Sequence, residues 1–124
     1  MTIPAPRIEC KQHHACLAVA DVRAAVEFYT ARLGFRCAFT EGDPPTFAGL
    51  LLDDVQIFLQ EGPSNPGASS IYFVVGDAAQ LFAFHQANGV EIEQPPIDQH
   101  YKLRDYVIRD LNGYYLVFGH RFAR

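Results

Sequence analysis

The chain has 124 residues, 49% hydrophobic and 19% charged, enough apolar matter for one compact core and too much for a disordered tail. Its formal net charge is −4 and no run of Lys or Arg stands out, which argues against nucleic acid or an anionic membrane as partner. No apolar stretch approaches the length of a membrane span, and the opening MTIPAPRIECKQ lacks the basic-then-apolar layout of a signal peptide. Cys10, Cys16 and Cys37 are odd in number and lack C-x-x-C spacing, so free thiols in a reducing cytoplasm are expected.

In chain order, ACLAVAD reads as a short apolar strand ending at Asp21, VRAAVEFYTARLG as a helix ending at Gly34, and FRCAFT as a second strand. Asp21 stands where an N-cap carboxylate can accept the orphan amides of the first turn. Val22, Ala25, Val26, Tyr29 and Leu33 recur at helical spacing as one buried stripe. Strands follow at 47–52 and 55–60, with Asp53-Asp54 as the turn. Residues 61–70 (EGPSNPGASS) are rich in Pro and Gly and read as a linker.

The pattern then repeats. IYFVVGD is a strand ending at Asp77, AAQLFAFHQANG a helix ending at Gly89, and VEIE another strand. Ala78, Leu81, Phe82 and His85 form its less regular stripe. Residues 94–100, with Pro95-Pro96, read as a loop at a mouth or rim. Strands at 104–109 and 114–118 flank a hairpin turn, Asp110-Leu111-Asn112-Gly113. The expected fold is therefore α+β: a single domain of tandem βαβββ modules, about 8–61 and 70–120 with a linker at 62–69, forming a cupped mixed sheet with helices outside.

Strand alternation assigns the faces. Large aliphatics such as Leu17, Ile57, Leu59, Phe73, Leu116 and Phe118 turn toward the helices. The opposite set is His14, Cys16, Gln56, Phe58, Gln60, Ser70, Tyr72, Tyr115 and Val117. Aromatic walls with scattered hydrogen-bonding groups suit a small-molecule pocket, whereas a sealed core would need internal partners for every polar atom. Phe58, Tyr72 and Tyr115 are expected to enclose a ligand, with His14, Gln56 and Ser70 orienting it and Arg104 or His100 at the mouth. His13 and His120 are expected to be exposed, and His85 to be a satisfied, partly buried imidazole. Cys16 stands roughly 7 Å along the strand from His14, too far for a nucleophile–base pair.

HACLAVAD followed by AAVEFYTARLGF resembles the opening module of the glyoxalase/bleomycin-resistance/dioxygenase (vicinal oxygen chelate) superfamily, and YKLRDYVIRDLNGYYLVF resembles its closing hairpin. The likeness runs from His13 to Phe118. It implies a homodimer that binds a small molecule. Metal-dependent members hold a divalent ion with one residue from each of four strands, and those positions fall here on His14, Phe58, Ser70 and Val117. Only His14 among them is a good ligand, so the resemblance is closest in character to the metal-independent, drug-sequestering bleomycin-resistance branch, with no cofactor. The alternative is a lyase or dioxygenase of the glyoxalase type using nickel, zinc, iron or manganese, and a scaffold domain without ligand is a third possibility.

Overall fold

Asp21 turns the chain from strand to helix as its position suggests. Its backbone is extended and its carboxylate accepts from the Ala24 amide at 3.0 Å; Asp77 does the same for Gln80 in the second half. The computed structural model describes residues 3–67 and 70–122. Residues 68 and 69 of the expected linker lie outside the described residues.

Strand β1 (Cys16–Val19) leads into α1 (Val22–Phe28), which continues as a π-helical turn, Tyr29–Leu33. Gly34, at φ +89°, ends it in the left-handed conformation that a glycine adopts without steric cost. Strands β2 (Arg36–Glu41), β3 (Phe47–Leu52) and β4 (Val55–Glu61) complete the first half. The second half is β5 (Ser70–Val74), α2 (Ala78–Ala87), β6 (Glu91–Asp98), β7 (Leu103–Arg109) and β8 (Tyr115–Arg121).

Each half makes a four-stranded mixed sheet, in the orders β1-β4-β3-β2 and β5-β8-β7-β6. In both, the first strand runs parallel to the last and the remaining pairs are antiparallel. The repeat seen in the sequence is thus a repeat of topology, and α+β with βαβββ modules describes it.

Helix α1 packs on β3 and β4, and α2 on β6, β7 and β8. Val19, Leu50, Ile57 and Leu59 on one sheet and Tyr106, Ile108, Leu116 and Phe118 on the other are fully buried, and they belong to one core shared by both halves. The join is made of particular contacts. Tyr29 Oη donates to Asp110 Oδ2 at 2.6 Å, Tyr114 Oη donates to the Ala18 carbonyl at 2.8 Å, and the Phe35 and Phe73 rings meet edge-on at 5.7 Å. Arg32 donates to the carbonyls of Asn88 and Gly89, across the same boundary.

Three expectations need correction. Residues 94–100 are not a loop up to His100: β6 continues through both prolines to Asp98. An edge strand tolerates residues without an N–H, and the register against β7 shifts between Gln94 and Ile97, so the bulge absorbs them. His120 lies within β8 and is half-buried, because its Nδ1 accepts the Ala78 amide at 2.7 Å at the start of α2. His14 precedes β1 instead of belonging to it, although the Ala15 carbonyl still accepts from Phe58 N at 2.8 Å.

His85 is fully buried between the halves, with Nε2 2.9 Å from the Leu33 carbonyl and Nδ1 2.9 Å from Tyr106 Oη. A carbonyl can only accept, so Nε2 carries the proton and Nδ1 accepts from Tyr106. Burial holds this imidazole below the usual histidine value of 6.5, opposed in part by the Leu33 bond. The unfolded chain therefore binds this proton more readily than the folded one. The contribution of neutral His85 to stability is complete above about pH 6.5 and is withdrawn as pH falls toward the lowered folded value. Urea midpoints measured from pH 7.5 down to 5 should fall with a steeper slope for the native chain than for His85→Gln; parallel slopes would contradict this assignment.

Candidate functional site

With the helices on one face of each sheet, the other face is left open, and alternation places on it the residues anticipated from sequence. In the first half, Phe58 projects from β4 beside the rings of Phe47 (5.3 Å, stacked) and Phe39 (6.3 Å). Gly49, paired with Phe58, makes this possible: a Cβ there would lie 2.2 Å from the Phe39 ring. The His14 ring meets Phe58 edge-on at 5.1 Å, its Nδ1 donates to the Gln56 carbonyl at 2.8 Å, and its Nε2 is 3.1 Å from Gln12 Oε1. The first half thus offers a floor of three phenylalanines with an imidazole at its edge.

The second half is polar. Ser70 pairs with Tyr115, and Tyr72 with Val117, whose other neighbour is Val107 on β7. Tyr115 Oη accepts from Arg109 Nη2 at 2.7 Å, and the guanidinium carbon sits 4.8 Å from the centre of the same ring. Arg109 is fixed in turn by Glu93, 3.1 Å from Nε. Tyr72, 39% exposed, reaches across Gly119 to donate to Asp105 Oδ2 at 2.7 Å. Asp105 is 2% exposed and also accepts from Tyr101 Oη (2.9 Å) and Gln99 Nε2 (2.9 Å).

The two faces meet along the seam between β1 and β5. A cleft of about 300 Å³ there is lined by Cys16, Ala18, Ser70 and Tyr115, and an adjoining one of about 610 Å³ by His14, Gln56 and Tyr72. Both are open grooves of the size range that accepts small molecules. A larger cleft of about 710 Å³ lies between the halves, where Gly34, Leu52 and Val55 face Tyr72, Val74, Leu81 and Phe84.

Of the residues named from sequence, His14, Gln56 and Phe58 come together on the first face and Ser70, Tyr72, Tyr115 and Val117 on the second. Arg104 does not join them. It alternates with Asp105 and so shares the face of the buried Tyr106 and Ile108, where it pairs with Asp98, stacks over Phe122 and holds the Asp98 carboxyl below its usual range. His100 is exposed in the turn between β6 and β7, its ring 5.1 Å from that of Tyr101. Sequence reasoning missed Phe39, Phe47, Asp105, Tyr101 and Arg109. Period-two alternation carried through strand 47–52 would have found Phe47, and through 104–109 both Asp105 and Arg109.

The donor set at the four metal positions does not fit a divalent ion. Phe58 and Val117 have no lone pair, Ser70 offers a neutral hydroxyl, and both ring nitrogens of His14 already have neighbours. Among the described residues no group of three or more His, Cys, Asp or Glu is placed to hold a metal. Among the described residues no helix is long and apolar enough to cross a membrane.

The class is defined by paired βαβββ modules whose sheets each keep one open face. The chain belongs to the Glyoxalase/Bleomycin resistance protein/Dioxygenase superfamily, whose family model matches residues 11–118. Among solved structures it is similar to TioX from Micromonospora sp. ML1 (24% identity, TM-score 0.76, covering 90% of this chain and 100% of the other). It is also similar to the bleomycin-binding protein of bleomycin-producing Streptomyces verticillus, solved with copper(II)-bleomycin (21%, 0.73, 90% and 97%). A glyoxalase-related enzyme from Clostridium phytofermentans superposes as well (14%, 0.79, 93% and 98%). At these identities the likeness is one of fold. No curated protein matches the sequence.

Gly119 tests the geometry of the second face. A Cβ there would stand 2.5 Å from Tyr72 Oη and 2.9 Å from Asp105 Cβ, and the latter cannot swing away. Gly119→Ala is expected to cost about 1–3 kcal/mol by overpacking, read as a lower urea midpoint, whereas Gly76→Ala, which meets nothing within 4 Å, should leave it nearly unchanged.

Proposed function

We propose that the protein binds a small amphipathic molecule in its concave grooves without using a metal ion, in the manner of a drug-sequestering protein. One observation carries the reading: the positions that would converge on an ion hold Phe58 and Val117, and Phe58 is built into a phenylalanine floor. Such a floor gains affinity by removing apolar surface from water, roughly 25 cal/mol per Å², and has no role in polarising a substrate oxygen. Polar groups at its border, Gln56, Ser70, Tyr72 and Tyr115, supply orientation. The S. verticillus protein, solved with copper(II)-bleomycin, supports binding as a use to which this fold is put.

A thermal-shift screen of aromatic drug-like compounds should give stabilising hits that Phe58→Ala combined with Tyr115→Ala abolishes. Hits that survive the double substitution would move the site elsewhere. Stoichiometric nickel, zinc, iron or manganese in protein purified without chelator or His tag would instead support a lyase or dioxygenase of the glyoxalase type.

The same reading includes a homodimer. The larger cleft carries Val74 at 70% exposure with Val55 and Phe84, a contiguous apolar surface of the kind that subunit interfaces cover. Sedimentation at micromolar concentration should give twice the 13.9 kDa chain mass, and a monomer would contradict the dimer.

A further inference from the structure

The direction of the hydrogen bonds on the second face sets what a ligand can bring to it. A carboxylate only accepts, so the phenols of Tyr72 and Tyr101 must both spend their single proton on Asp105 Oδ2. Gln99 supplies the donor to Oδ1. Burial, and then the Asp105 bond, pushes both phenols above the usual tyrosine value, so both protons stay in place at neutral pH. Each phenol oxygen therefore turns only lone pairs outward, backed by a carboxylate that is 2% exposed. In the single chain Tyr72 and Tyr101 are 39% and 45% exposed, and Tyr72 stands at the rim of the cleft assigned above to a second copy, which would border the ammonium seat.

Farther along the same sheet face the polarity is reversed. A guanidinium cannot accept, so Tyr115 Oη receives the Arg109 proton and keeps its own free to donate. Tyr115 is four residues before Gly119 on β8, which places the two regions roughly 13 Å apart at the usual strand rise. Val107 and Val117 pair with each other between them.

We propose that this site selects an aromatic ligand carrying a protonated amine, with the ammonium seated on the Tyr72–Tyr101 oxygens and Asp105 acting as the positioning residue that holds both phenols in the accepting state. This rests on the groove being a ligand site, as proposed above, and adds to it a charge and a direction. An anionic group in the same place would face lone pairs with no proton to meet it.

Three probes sharing one ring system separate the two claims: 2-(2-naphthyl)ethylammonium, 2-(2-naphthyl)ethanol and 2-naphthylacetate, titrated at pH 7 by NMR. The ammonium should bind about tenfold more tightly than the alcohol, as a charge-assisted hydrogen bond allows, and the acetate weakest. Asp105→Asn should lower the ammonium-to-alcohol affinity ratio from about tenfold to about one. Tyr101→Phe, in an exposed turn where folding is not at stake, should remove part of the same advantage. Equal binding of ammonium and alcohol, or an ammonium advantage that survives both Asp105→Asn and Tyr101→Phe, overturns the charge preference and leaves the groove intact as a site. Failure of all three probes to bind removes the groove as well.

Discussion

Tyr29 and Asp110 hold the molecule's two halves in one register. Each sheet alone has an apolar face with only a single short helix to cover it, and the shared core exists because the halves cover each other. Asp110 sits where that cover must close. Oδ1 accepts the amides of Asn112 and Tyr114, which shapes the β7–β8 turn, and Oδ2 accepts from Tyr29 on the opposite half. Burial raises the Asp110 carboxyl above its ordinary range, opposed by the Tyr29 bond and the turn amides, and burial followed by the Asp110 charge raises Tyr29. An acceptor buried this deeply costs about 1–3 kcal/mol when its donor is removed. The pair therefore specifies how the halves meet more than it stabilises either one. Tyr114 reinforces it by donating to β1 while accepting the Asn65 amide.

That arrangement determines the site. Because α1, its π-helical turn and α2 occupy the side on which the halves bury their aliphatic residues, the opposite sheet faces stay open and meet at the β1–β5 seam. The faces are related by topology and opposed in chemistry. The first places rings over Gly49; the second places a tyrosine hydroxyl over Gly119. In each case the missing Cβ lets an aromatic side chain lie flat across a neighbouring strand, yet one half uses that space for apolar area and the other for a hydrogen-bond network. Two halves of like topology thus differ most on their open faces.

How much of this the sequence disclosed follows from the range of the interactions involved. Caps and periodicity are local, so Asp21, Asp77, Gly34 and the inward positions of Leu17, Ile57, Leu116 and Phe118 could be read directly. The second half of strand β6 was obscured because the prohibition on proline applies where a ladder needs an N–H, and an edge with a bulge needs none at positions 95 and 96. His120 was misjudged because its partner, the Ala78 amide, lies 42 positions away. On the site, alternation was enough to place Phe58, Tyr72 and Tyr115 on open faces. It was also enough to separate Arg104 from Asp105, had chemistry not suggested an arginine at a mouth. What alternation cannot supply is the diagonal reach of Tyr72 over Gly119, which depends on β8 lying between β5 and β7.

The absence of lone-pair side chains at positions 58 and 117 and the phenylalanine floor belong to one arrangement. A divalent ion needs lone-pair-bearing side chains converging on a point, whereas Phe39, Phe47 and Phe58 put a cluster of mutually tilted, half-buried rings in the same region. His14 shows how far the arrangement extends, since it spends Nδ1 on the Gln56 carbonyl and lays its ring edge against Phe58. An imidazole engaged this way acts as a wall of the groove. A metal site here would take more than carboxylates at positions 58 and 117, because the aromatic packing around Phe58 and the anchoring of His14 would both have to be undone.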